Sequence, residues 1–286
     1  MKFSRIISLT SSLLLFNSVA PTQAQPIDSF QSEPASLPTP NSFDLNAPLQ
    51  FSPPPLPSRG RPTGRRRGGA SRGGCDIAGQ LPLTAMVPAY NNNNEIADAS
   101  ESTHTFVETV FSLTAQPRPS FWFYVPYSLA TTPLEFVLQD ESNQTIYQGS
   151  VSSEASASSP LADNSNGGVI QVTLPDSVPA LEADTLYHWY FVAYCNETDP
   201  AFVEGWVAQQ PHTAALSTAL TNTTPREQAG LYAQNGLWQD SITALGERYK
   251  QDPTDSAIAS DWETLLESVD LSELSTQQIQ DCCTLE

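Results

Sequence analysis

The chain has 286 residues, an ordinary hydrophobic content of 39%, only 15% charged residues and 24 prolines, enough apolar material for one or two domains. Its formal charge of −19 is unevenly spread: residues 75–286 carry 28 acids against four bases, a balance of −24, whereas residues 58–74 carry six Arg and no acid. The acidic part is thereby excluded as a surface for nucleic acid or anionic membrane, and any polyanion contact falls to Arg59, Arg61, Arg65, Arg66, Arg67 and Arg72.

Residues 1–24 read as a signal peptide. Lys2 and Arg5 make the positive start, IISLTSSLLLF is an apolar run too short to span a bilayer, and Thr22 and Ala24 are the small residues before a cut at Gln25. No later run is long and apolar enough for a span, so an exported product, periplasmic or extracellular, is expected. Residues 25–74 hold ten Pro and end in RGRPTGRRRGGASRGG, a composition that buries too little apolar area to order itself, so a disordered linker is predicted. Its Arg cluster either meets a polyanion or serves as a solubilising spacer that touches its own acidic domain.

Residues 75–210 read as the β-domain. Eight β-rich runs are predicted, at 81–87, 104–114, 120–127, 134–139, 144–149, 168–174, 185–195 and 201–208, with turn-formers between most of them. That spacing without helical period predicts an antiparallel sandwich, and LEADTLY places Leu181, Thr185 and Tyr187 at the spacing that leads into the sixth strand of fibronectin type III domains. There the Tyr hydroxyl bonds back to upstream backbone. The fold class expected is mainly β, an Ig/fibronectin-like sandwich with a helical C-terminal part. PSFWFYVPY, residues 119–127, alternates Phe121 and Phe123 against Trp122 and Tyr124, so both faces of that strand should be covered.

Residues 211–275 change period. Thr224-Pro225-Arg226-Glu227 is a capping box with Pro at the first helical position, and Trp238, Ile242, Leu245 and Tyr249 form one helical stripe that Pro253 ends. Ala229 to Pro253 resembles one tetratricopeptide-type repeat, and a third helix is predicted over roughly 254–268. A single repeat cannot bury its own face, so these helices should pack on the sandwich or on a partner. Residues 276–286 are read as a tail. Export permits disulfides. Cys75 opens the folded region and Cys195 ends a strand, so they either bridge or stay as thiols; Cys282 and Cys283, being adjacent, are not expected to bridge each other.

The strings FWFYVPY, LEFVLQDE, LYHWYFVAYC and VEGWV, with the leader, the Arg/Gly/Pro linker and the helical tail, resemble a cyanobacterial exported family known only as domain of unknown function nine-two-eight. The resemblance implies a compartment and an architecture, and no catalytic residues. The residues themselves point the same way. His104, His188 and His212 have no second ligand at metal spacing, and no nucleophile elbow or phosphate loop is present. No cofactor and no catalytic set is therefore expected. The reading is a non-enzymatic envelope interaction or scaffold module with an envelope protein or glycan as partner. The alternative is a carbohydrate-binding module using Trp122, Tyr124, His188, Tyr190 and Trp206 as a ring platform.

Overall fold

The computed structural model describes residues 49–57, 62–68, 75, 77–91, 108–152, 167–195 and 199–286, all within one compact unit, Pro40–Glu286. The predicted leader, His104, Arg59, Arg61 and Arg72 lie outside the described residues. In chain order the strands are β1 (Thr84–Ala85), β2 (Ala89–Asn91), β3 (Glu108–Thr114), β4 (Ser120–Val125), β5 (Leu134–Gln139), β6 (Thr145–Ser152), β7 (Gly168–Thr173), β8 (Leu186–Ala193), β9 (Ala201–Gln209) and β10 (Thr284–Leu285). Four α-helices lie between β9 and β10: α1 (Ala214–Ala219), α2 (Pro225–Gln234), α3 (Trp238–Gln251) and α4 (Ser256–Glu267).

The strands form a large sheet of order β10-β6-β5-β8-β9-β3-β2 and a small one of order β1-β4-β7. The pairing is antiparallel except between β3 and β9, which run parallel from Phe111 opposite Trp206 to Thr114 opposite Gln209. That is a correction to the wholly antiparallel expectation. Strand order is decided by tertiary pairing, which local alternation does not encode.

The core is built on β4. Its Phe121 and Phe123 point at the large sheet, where Phe123 stacks on Phe191 at 4.0 Å and meets Trp189 edge-on at 5.8 Å, and Phe121 packs on Phe136 at 4.9 Å. Trp122 points the other way, into the helices: its indole N–H donates to Thr243 Oγ1 at 3.0 Å and its ring lies 6.0 Å from Trp262. Phe121, Trp122, Phe123 and Tyr124 are all buried, so the architecture is three layers, large sheet, small sheet, helices. Each such ring removes about 150–250 Å² from water, an upper figure of roughly 4–6 kcal/mol before ordering entropy.

The helices form for local reasons. Thr224 accepts from the Glu227 backbone N–H and Glu227 accepts from the Thr224 N–H, closing the box, with Pro225 at the first position. Gly236, at φ +74°, makes the turn into α3 that a side chain would strain. Arg226 on α2 forms an ion pair with Asp261 on α4, and the Trp238 indole donates to the Met86 carbonyl at 2.7 Å. The apolar side of α3 lies against the chain's own strands and the segment at Phe51, with Trp238 against Phe51 and Met86 and Gly246 against Trp122.

Two segments read as lying outside the fold pack into it. Leu49 and Phe51 are buried, and Phe51 meets Trp238 edge-on at 5.1 Å. Residues 62–68 form a strap. Thr63 bridges Thr109 on β3, Arg65 exchanges both backbone hydrogen bonds with Glu204 on β9, and Arg67 bridges Thr84 on β1. The strap thus ties β3 and β9 of the large sheet to β1 of the small one. Gly64 is required there, because a Cβ would sit 2.7 Å from the Glu204 carbonyl oxygen and 2.8 Å from Val110 Cβ. At the far side the segment taken for a tail pairs too: Ile279 bridges Val169 on β7, and β10 pairs with β6.

Candidate functional site

The outer face of the large sheet carries Leu186, His188, Tyr190 and Val192 from β8, directly opposite Ala208, Trp206, Glu204 and Phe202 from β9. His188 stacks on Trp206 with centroids 4.2 Å apart and planes 6° from parallel. The Tyr190 hydroxyl is 2.9 Å from His188 Nδ1, and Glu204 Oε2 is 3.1 Å from His188 Nε2, at ion-pair distance but outside hydrogen-bond geometry. Burial, with help from the Glu204 charge, raises the Tyr190 hydroxyl above its ordinary pKa. The Arg65 guanidinium lies 4.6 Å over the Phe202 ring, and the Trp206 indole donates to the Thr63 carbonyl at 3.0 Å. The Tyr194 hydroxyl, at the exposed end of this face, donates to Glu135 Oε2 at 2.6 Å.

The expected five-residue platform therefore splits. Trp122 and Tyr124 are 0% and 3% exposed, on a different sheet and under the helices, and cannot meet a ligand from solvent. His188, Tyr190 and Trp206 do come together. The His188 and Trp206 rings lie face to face, whereas a sugar needs a free ring face on which to stack.

The Arg cluster is also absorbed. The buried Arg66 guanidinium donates to the Val269 carbonyl and sits 3.8 Å from Glu108; desolvation lowers its pKa. Arg67 pairs with Glu273. Of the polyanion-contact residues described, Arg66 and Arg67 are thus taken up by the chain's own acids and carbonyls. The alternative of a segment touching its own domain is the arrangement seen for both.

Cys75 and Cys195 are joined as a disulfide with Cα atoms 5.6 Å apart, fastening the residue that opens the β-domain to the end of β8. Cys282 and Cys283 are also paired, across a cis peptide bond that brings the neighbours together, a correction to the expectation that they would not bridge. Among the described residues no group of three His, Cys, Asp or Glu is placed to hold a metal, and no helix is long and apolar enough to cross a membrane.

A second feature is a cavity of about 300 Å³ between α2, α3 and the approach to β4. Gln239 and Asp240 line it from α3. Asp240 Oδ2 accepts from the Ala115 N–H at 2.8 Å and the Gln239 amide donates to Ser112 Oγ at 3.0 Å, while Asp240 Oδ1 and Gln239 Oε1, both buried, have no hydrogen-bond partner. Burial raises the Asp240 carboxyl above the usual range, against the Ala115 N–H and other donors that lower it. Tyr232, half-buried, faces the same space and stacks on His212 at 5.7 Å.

Residues 67–279 match the family model described as Domain of Unknown Function (DUF928). The chain belongs to this family. No curated protein and no solved structure matches it. The DUF928 match runs from the strap, at Arg67, to the segment that pairs with β7, at Ile279, so the segments that bridge both edges of the small sheet fall at its limits. Asp240 and Gln239 carry no sequence signal of a site, and Tyr232 stands out only as a position of the tetratricopeptide-type match. On α3 the apolar stripe draws attention, and an acid beside it reads as a solvated face until β3 is known to lie against it.

Proposed function

We propose that this DUF928 protein is an exported, non-enzymatic interaction module of the cyanobacterial envelope that binds a protein partner through the outer face of its large sheet. One observation carries the reading. Tyr190, Val192, Phe202 and Trp206 stand half-exposed around Glu204 in the middle of that face, with Tyr194 43% exposed beside them and bonded to Glu135. Half-exposed aromatic and apolar side chains grouped on one sheet face make the kind of patch that protein interfaces use. The helices do not compete for this role, because their apolar stripe already covers β4. The acidic balance of residues 75–286 favours a partner face that carries basic residues.

Export rests on the leader and is supported by the Cys75–Cys195 pairing, which suits an oxidising compartment. The Ig/fibronectin-like reading of the sandwich draws support from the Tyr187 hydroxyl, which accepts from the Glu182 backbone N–H at 2.9 Å as a tyrosine corner does. The tetratricopeptide-like reading of α2 and α3 draws on the Gly236–Trp238 turn and the fully buried Ala229.

A photo-crosslinking residue placed at Tyr194 in the native host tests the proposal, with exposed Glu267 on α4 as the control position. A discrete protein adduct at 194, absent at 267 and lost with Val192→Arg, is expected. No protein adduct at 194, or the same adducts at both positions, refutes it; an uncleaved, cytoplasmic product refutes export.

A further inference from the structure

We infer that the cavity between α2, α3 and the approach to β4 binds a small hydroxyl-rich ligand, a mono- or disaccharide. Its volume of about 300 Å³ is at the lower end of the range for small-molecule sites and accommodates a sugar ring. Its wall is polar in a particular way. Gln116, Gln228, Gln239 and Gln251 contribute amides, each both donor and acceptor. Arg118 and Arg248 balance Asp240 and Glu247, so the wall selects neither a polyanion nor a polycation. The apolar part is small: Pro225, Ala244 and the Tyr232 ring, which offers a surface to the C–H face of a pyranose.

Much of this wall is held in place by the protein. Arg118 donates to the carbonyls of Val178 and Asp176, Arg248 lies 3.5 Å from Asp255, Glu247 accepts from Gln171 at 3.0 Å, and Thr243 accepts from the Trp122 indole. Fixed walls lower the ordering cost of binding. Asp240 Oδ1 and Gln239 Oε1 are closed off from solvent and take no part. The Gln228 and Gln251 amides, at the half-buried and exposed edge of the wall, present donor and acceptor side by side. Hydroxyl groups, donor and acceptor at once, complement such a set. A carboxylate group brings only acceptors, and an apolar ligand leaves the amides unpaired. The cavity is separate from the ring row on the outer sheet face, so the two sites are testable independently.

The full chain is titrated with glucose, galactose, N-acetylglucosamine and maltose, and in parallel with glutamate and inorganic phosphate, by saturation-transfer NMR and calorimetry. Saturable binding of at least one sugar is expected. Ala244→Phe, which fills the cavity, should weaken it by about tenfold or more, and Trp206→Ala, on the outer face, should leave it unchanged. If Ala244→Phe does not fold, the pair Gln228→Ala and Gln251→Ala, at the half-buried and exposed edge of the wall, carries the same expectation. The inference is overturned by the absence of saturable sugar binding, by binding of glutamate or phosphate alone, by sugar binding that survives the cavity variants, or by loss of binding in Trp206→Ala.

Discussion

Gly246→Ala decides between two opposing effects in the middle of α3. Helix propensity alone favours Ala over Gly by about 1 kcal/mol in a helix interior. The structure opposes it: a Cβ on Gly246 would lie 2.6 Å from Trp122 Cη2 and 3.0 Å from Cζ2. The indole cannot step aside, because its N–H is tied to Thr243 and its ring abuts Trp262, which in turn stacks on Tyr249 at 5.8 Å. Overpacking of this kind costs about 1–3 kcal/mol, and a contact this short belongs at the upper end. The net expectation is a loss of about 2 kcal/mol, or roughly 4–8 °C in Tm for a folded region of this size. Urea unfolding at unchanged m-value measures it, and the double variant Gly246→Ala with Trp122→Phe should recover part of the loss by removing the clashing ring. A Gly246→Ala protein more stable than the parent would refute the close contact between helix layer and small sheet.

Three further outcomes follow from the same geometry. Replacing Cys75 and Cys195 by Ser opens a loop of 120 residues and should cost about 2–5 kcal/mol, read as a lower urea midpoint that matches the reduced parent. Arg66→Met leaves the Val269 carbonyl without its guanidinium donor and should destabilise by about 1–3 kcal/mol, whereas Arg65→Met, whose side chain is exposed, should fall within about 0.5 kcal/mol in the same unfolding titration. The Asp240 carboxyl is raised by burial, so the folded chain holds its proton longer than the unfolded one. Its contribution to stability is then full below the ordinary Asp range and lost as pH rises through the raised value. Asp240→Asn should flatten that part of the stability–pH curve, and an unchanged slope between parent and variant would count against the assignment.

The parts of the fold legible in the sequence are those that a short window encodes. PSFWFYVPY shows two aromatic faces, and both are covered in the structure because β4 lies between a sheet and a helical layer. The capping box at Thr224 and Glu227 is a four-residue signal, and it forms as written. The strap was illegible for the opposite reason. TGRRRG has no apolar stripe, and its order comes from backbone bonds to Glu108 and Glu204 and from Val269 and Glu273, residues far along the chain. Alternation placed His188 and Tyr190 on one face correctly, but which strand faces which is a matter of pairing. Trp206 therefore joins them, and Trp122 and Tyr124, equally aromatic, end on another sheet.

The strap and the segment around Ile279 close opposite edges of the small sheet, and they are separated by almost the whole folded chain. During synthesis the strap emerges before either sheet exists, and residues 278–285 emerge after every other strand of both sheets has been made. Until then β6 and β7 keep open ladders, the kind of edge that recruits strands from neighbouring molecules. A chain arrested just short of these residues would have all its core rings in place and still be exposed to misassembly. Vulnerability of this protein is thus concentrated in an interval of time, between the making of α4 and the docking of the last strand.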